Sequence, residues 1–116
     1  MIGCDIIEIE RIKSSIDKFG DNFINKIMTC REIEIYNLKG KKAEFAAGRF
    51  AAKEAVAKSF GLGIGRGYAF TDIEVLNDSL GKPEVYVKNE RRNDIEVSIS
   101  HSRANAIAVC VLKEGV

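Results

Sequence analysis

The hydrophobic period of this chain changes partway along it, and that change limits the folds open to it. After a short opening strand, apolar residues recur at helical steps as far as Phe60. From Ile73 onward they fall in short strand-like runs, alternating cleanly in Ile95–Ser100 and nearly continuous in Ala104–Leu112, which is too apolar to be exposed on both faces. A run of helices followed by a run of closely spaced strands implies an α+β domain and disfavours the alternating units of a parallel sheet. The 116 residues are expected to form one domain, residues 1–116, with an antiparallel sheet packed on the longest helix.

Local signals set the expected boundaries. Residues 2–7 read as a strand with Ile2, Cys4 and Ile6 on one face and Asp5 on the other. Ile9, Ile12, Ile16 and Phe19 then form the apolar stripe of a helix that ends at Gly20. A second short helix is predicted from Phe23 to Met28. Thr29 with Glu32 three residues on predicts a capping box and a third helix to about Leu38, interrupted by Gly40. Ala43 to Phe60, rich in Ala, Glu and Lys and closed by Gly61, is the clearest helix.

Strands are predicted at Ile73–Leu76, Glu84–Val87, Ile95–Ser100 and Ala104–Leu112, the last two joined by a hairpin that carries His101 and Ser102. Asn77 to Pro83 is the turn-rich connection between the first two of these.

Composition excludes several classes. With 46% hydrophobic and 30% charged residues the chain is not of the disordered type. A net charge of +1, from 18 Lys and Arg against 17 Asp and Glu, lacks the basic excess of a general nucleic-acid binder. No apolar run is long enough to span a bilayer, and no signal-peptide pattern is seen, so neither membrane nor export is expected. Cys4, Cys30 and Cys110 show no paired spacing. Cys4 and Cys110 lie in apolar runs and are expected in the core, and a reducing cytoplasm is the simplest setting.

Five features bear on chemistry. Glu54 and Lys58, four apart, share one helix face, either as a surface ion pair or as part of a site. In the second reading Glu54 joins Asp5 as a pair of hard oxygen ligands for Mg²⁺, and Lys58 neutralises a phosphate oxygen. Arg49 lies five residues before Glu54, nearly opposite on the helix. Either it is structural, or two sites touch one helix in an oligomer. Gly61, Gly63, Gly65 and Gly67 follow a helix C-terminus, which favours a flexible cap over a phosphate cradle, although close backbone approach to a ligand stays open. His101, the sole histidine, follows Ser98-Ile99-Ser100 and suits a hydrogen bond or positive charge for a phosphate better than covalent catalysis. Arg11 and Lys18, seven apart, form either a solvated stripe or a dock for an acidic partner.

Together these segments resemble the holo-acyl-carrier-protein synthases, the short trimeric type of 4′-phosphopantetheinyl transferase. The resemblance runs over nearly the whole chain. It is carried by Gly3-Cys4-Asp5-Ile6-Ile7-Glu8-Ile9, by the stretch from Phe45 to Ala55 with Lys58, and by Gly61-Leu62-Gly63-Ile64-Gly65. It also includes Asp72-Ile73-Glu74-Val75, Gly81-Lys82-Pro83 and Ser98-Ile99-Ser100-His101.

It implies a transferase that moves 4′-phosphopantetheine from coenzyme A to a serine of an acyl carrier protein, in support of fatty acid biosynthesis. It implies Mg²⁺ held by Asp5 and Glu54, with Lys58 at the pyrophosphate and assisting proton transfer. Arg49, Lys82, His101 and Ser102 match positions that bind coenzyme A phosphates or shape the pocket, partly from a neighbouring subunit of a homotrimer. Gly61, Gly63 and Pro83 belong to the same expected set, and Arg11 matches a carrier contact. Ser102 stands where Thr is common, keeping the hydroxyl. Asp21 and Asn22 make the segment after Lys18 less basic than in some relatives. A non-catalytic coenzyme A-binding regulator and a Mg²⁺-dependent nuclease are the competing readings.

Overall fold

The computed structural model describes residues 1–113. The chain runs β1 (Ile2–Glu8), α1 (Ile9–Phe19), α2 (Asp21–Ile27), α3 (Cys30–Leu38) and α4 (Ala43–Ser59). A 3-10 turn at Phe70–Asp72 leads into β2 (Ile73–Asn77), β3 (Pro83–Val87), β4 (Glu90–Arg91), β5 (Ile95–His101) and β6 (Asn105–Leu112). Every strand pairing is antiparallel. The strands form two three-stranded sheets, ordered β1-β6-β5 and β2-β3-β4. The first strand thus pairs along its full length with the last, from Ile2 opposite Val111 to Glu8 opposite Asn105.

α4 is the centre of the molecule. Ala46, Ala47, Ala51, Ala52, Ala55 and Ala57 are fully buried, as expected of a helix that is small and apolar on most sides. β1 lies against it so closely that a Cβ on Gly3 would sit 1.9 Å from the Ala55 carbonyl oxygen. Only glycine fits there. At the end of α4, Gly61 takes φ +80°, the left-handed conformation that closes a helix at low cost for glycine.

Three expectations need correction. The face of β1 carrying Ile2, Cys4 and Ile6 points outward, so Cys4 is exposed and only Cys110 is a core cysteine. The inward positions go to Gly3, Asp5 and Ile7, because α4 leaves no room for larger side chains at Gly3. Phe19 does not complete the buried stripe of α1. It is 54% exposed at the helix end, while Ile12 is buried and Ile9 and Ile16 pack on the core. The strands also divide into two sheets instead of one, and β4 and the 3-10 turn had no sequence signal.

Thr29 and Glu32 form the expected capping box. Glu32 Oε1 accepts from Thr29 N at 2.9 Å, and Thr29 Oγ1 accepts from Glu32 N at 3.3 Å.

Candidate functional site

The close approach of β1 to α4 brings Asp5 to the face of the helix that carries Glu54 and Lys58. Lys58 Nζ donates to Asp5 Oδ1 at 3.0 Å and to the Cys4 carbonyl at 3.2 Å. Lys58 is about half exposed and Asp5 is largely covered, with side-chain exposures of 49% and 16%. The hydrogen bond to Asp5 raises the Lys58 pKa, so its ammonium is held. Glu54 is half-buried. Burial first, and the nearby Asp5 charge second, push its carboxyl above the usual range, against the opposing pull of Lys58.

The helical pair Glu54–Lys58 is therefore not a simple surface ion pair, because the lysine hydrogen-bonds across to β1. Among the described residues no group of three or more His, Cys, Asp or Glu is arranged to hold a metal. The two carboxylates fit a hard cation that completes its shell with phosphate oxygens and water, as Mg²⁺ does.

Arg49 faces elsewhere. Five residues at about 100° each place it roughly 140° from Glu54 around α4. It is 6% exposed, stacks 4.4 Å from the Phe45 ring centroid, and donates from Nη2 to Asn77 Oδ1 at 2.5 Å. Its Nε is buried without a partner, and burial lowers its pKa while Glu32 opposes that shift.

A cleft of about 320 Å³ lies on one side of Arg49, lined by the cations Lys39 and Lys42, by one carboxylate, Glu44, and by Phe45, Ile99 and His101. A second hollow, about 460 Å³, shares Arg49 and reaches Asn77, Lys82 and Pro83. So Arg49, Lys82, Pro83 and His101 gather around one cationic region, away from Asp5, Glu54 and Lys58. An orphaned, buried guanidinium nitrogen beside lysines and a histidine suits an anionic oxygen.

Other expected residues lie outside both clusters. Ser102 sits in the β5–β6 hairpin, where its Oγ accepts from Ala104 N at 3.4 Å and Asn105 N at 3.2 Å. Gly61 and Gly63 follow α4 with open space where a Cβ would project, and neither lines the Arg49 cleft. Arg11 and Lys18 are exposed on α1, and Lys18 Nζ lies 5.4 Å over the Phe19 ring.

The sequence reading missed Lys39, Lys42 and Asn77 around Arg49. It also missed the burial of Lys53 and Glu32, both 0% exposed. For Lys53 a signal existed: it stands four residues after Arg49 and directly follows Ala51-Ala52, on the alanine-rich side of the helix.

Residues 1–111 match the family model of the 4′-phosphopantetheinyl transferase superfamily. A holo-[acyl-carrier-protein] synthase of Ruminiclostridium cellulolyticum is 46% identical over 99% of this chain and 92% of that protein. One from Fusobacterium nucleatum is 48% identical over 96% of each. The fold is similar to the crystal structure of a Bacillus anthracis holo-(acyl-carrier-protein) synthase in complex with coenzyme A (3′,5′-ADP). That likeness has a TM-score of 0.83 and 42% identity, over 98% of this chain and 96% of that one. It is likewise similar to the Helicobacter pylori synthase in complex with coenzyme A, with a TM-score of 0.87 and 30% identity over 97% and 100%.

Proposed function

Because the chain belongs to the 4′-phosphopantetheinyl transferase superfamily, we propose that the Asp5, Glu54 and Lys58 cluster is where it transfers 4′-phosphopantetheine from coenzyme A to a serine of apo-acyl-carrier protein. The reaction releases adenosine 3′,5′-bisphosphate and serves fatty acid biosynthesis. The observation that carries the site assignment is the convergence of these three side chains, from β1 and α4, at one partly open position.

Asp5 and Glu54 would hold Mg²⁺, which when bound neutralises pyrophosphate oxygens and polarises the phosphorus under attack. Lys58 presents a fixed positive charge to the pyrophosphate, where charge develops on the leaving oxygen. The serine oxygen attacks the β-phosphorus in line, the bond to the bridging oxygen breaks, and adenosine 3′,5′-bisphosphate leaves with that electron pair. The serine proton passes to Glu54 or to a water beside it.

Arg49, with Lys82, Pro83 and His101 around it, serves the phosphates of coenzyme A from the other face of the helix. Ser102 adds a hydroxyl at the hairpin, and Gly61 and Gly63 allow the chain past α4 to approach the ligand. Arg11 and Lys18 dock the acidic carrier.

A single copy turns the two halves of this machinery in directions about 140° apart. A homotrimer with sites at its interfaces reunites them. The outward faces of β1 and β6 support such an assembly: Ile2, Ile6, Ile107, Val109 and Val111 are 38–71% exposed and adjacent across the strand register. The free cysteines Cys4, Cys30 and Cys110 suit the cytoplasm. Neither a non-catalytic coenzyme A binder nor a nuclease is favoured, since the first has no use for the converging carboxylates.

The test is incubation with coenzyme A, Mg²⁺ and an apo-acyl-carrier protein, read by mass spectrometry. A phosphopantetheine adduct is expected with the wild type, and none with Asp5→Ala or Glu54→Ala. Adduct formation at wild-type rates by either variant at limiting Mg²⁺ would remove these carboxylates from the site.

A further inference from the structure

The alanine-rich sides of α4 are smooth. Its buried positions are mostly alanines, whose methyl groups give little shape to resist rotation about the helix axis. Its contact with β1 is backbone to backbone at Gly3, with only the half-exposed Lys58 bonded across it, to Asp5 and the Cys4 carbonyl. Yet Glu54 and Arg49 must each point at a particular place, and a turn of the helix would move both.

One fully buried side chain keys this helix to the elements on the side away from β1. Lys53 Nζ donates to the Ile27 carbonyl at 2.6 Å, at the end of α2, and to Glu32 Oε1 at 2.5 Å, in the first turn of α3. Glu32 is itself fixed. Its Oε1 accepts from Thr29 N at 2.9 Å and its Oε2 from Val75 N at 2.8 Å, in β2. Both side chains are fully buried. Charge-assisted bonds of this kind are directional as well as strong. Through them α4 is tied to α2, α3 and β2 from the side opposite its contact with β1.

Stability alone does not account for the pair. Burying two charges costs several kcal/mol each before their attraction offsets it, and apolar replacements of similar volume are often neutral or stabilising. The angular arrangement gives a better reason. Lys53 is about 100° from Glu54 and about 40° from Arg49 on the helix. With a head-group radius of about 5–6 Å, a 10° turn of α4 moves the Glu54 carboxylate by about 1 Å. A misplacement of about that size costs about 100-fold in rate.

We propose that Glu32 and Lys53 are positioning residues, whose buried ion pair sets the rotation of α4 and so aims Glu54 at Asp5 and Arg49 at its cleft. Neither touches substrate. The inference rests on the assignment of Glu54 to the site.

The test is the double variant Glu32→Met/Lys53→Met, which removes both charges and keeps the volume. Three readouts are taken: thermal midpoint, steady-state kcat and KM with coenzyme A and apo-acyl-carrier protein, and Mn²⁺ binding by electron paramagnetic resonance without coenzyme A. The midpoint is expected to fall by a few degrees while the protein stays folded, because Thr29 N and Val75 N lose the acceptor that Glu32 gives them. A fall in kcat of about 10-fold or more and weaker Mn²⁺ binding are expected, with KM for the carrier unchanged because α1 is untouched.

A folded double variant with wild-type kcat and Mn²⁺ affinity would overturn the proposal and leave the pair purely structural. Should the double variant fail to fold, Lys53→Arg decides, since it keeps the charge but moves the donors. The same two losses are expected there, and wild-type values would overturn the proposal. Failure of the underlying site assignment looks different: Glu54→Ala itself would retain transfer and Mn²⁺ binding.

Discussion

Lys53 and Lys58 lie on the same helix, and each is paired with one carboxylate, yet they belong to opposite kinds of environment. Lys53 and Glu32 are both fully buried, and the hydrogen bonds of the pair end on neighbouring elements of the fold. Lys58 is half exposed and Asp5 mostly covered. Burial is the largest influence on Lys53 and lowers its pKa, whereas the bond to Asp5 is the largest on Lys58 and raises it. A sealed pair fixes geometry and has no capacity for a ligand. An open pair beside a strained carboxyl such as Glu54 can exchange partners with an incoming cation or phosphate. On the proposed assignment, α4 carries structure on one face and chemistry on another.

The sharpest way to break this contrast is at the open face. Asp5→Ala and Glu54→Ala are expected to lower the transfer rate by about 10²–10³ or more, the scale of losing a main electrostatic element. Glu54→Gln should also be inactive, but more heat-stable than the wild type at neutral pH. The sign follows from linkage. The folded-state pKa of Glu54 is raised, so the folded protein binds that proton more tightly than the unfolded chain does. The stability this gives is present at low pH and is lost as pH rises through the raised pKa. Above it, the charged form opposes folding, and glutamine removes that penalty. Thermal midpoints measured from pH 4 to 8 should show the variant's advantage shrinking as the pH falls. An unchanged or lower midpoint at pH 7 would show that Glu54 is unstrained.

Gly3→Ala tests the contact that brings Asp5 to α4. Its Cβ would need the space of the Ala55 carbonyl, so the strand or the helix must shift. A loss of about 1–3 kcal/mol in denaturant unfolding is expected, typical of overpacking, with transfer activity reduced in the folded fraction. Wild-type activity in a folded Gly3→Ala protein would mean that the site tolerates a displaced β1.

The smallest effect belongs to the exposed charges of α1. Arg11→Glu should raise KM for the carrier about fivefold, equivalent to roughly 1 kcal/mol, and leave KM for coenzyme A unchanged. Lys18→Glu should act in the same direction but less, with Asp17 and Asp21 close in sequence. Added salt should narrow both gaps. Unchanged carrier KM in Arg11→Glu at low salt would move the dock elsewhere, to Lys41 and Lys42 first.

Much of this was legible along the chain because its causes are local. The Thr29–Glu32 capping box needs only a three-residue spacing, and α4 with Gly61 behind it was placed to within a residue at its end. The β5–β6 hairpin followed from one alternating run, Ile95–Ser100, and one apolar run, Ala104–Leu112, separated by a short connection. What was not legible depends on partners distant in sequence. The exposure of Cys4 follows from the pressure of α4 on Gly3, more than fifty residues away. The pairing of β1 with β6 joins the two ends of the described chain. Glu32 showed its role as a cap but not its second role, because Lys53 and Val75 reach it only in the folded protein. Around the site, residue types pointed to Asp5, Glu54 and Lys58, while the hydrogen bond between Lys58 and Asp5 required the two elements to be brought together.

The proposed division of α4 into two working faces calls for neighbouring copies at one site, and subunit mixing tests that most directly. Arg49→Ala and Glu54→Ala proteins, each inactive alone, are combined under conditions where light scattering and mass-tagged subunits show exchange, and phosphopantetheine transfer is followed by mass spectrometry. If neighbouring copies supply the two faces to one site, some sites regain both intact halves and activity returns in part. No recovery despite proven exchange, or full activity in a wild-type monomer, would contradict the account.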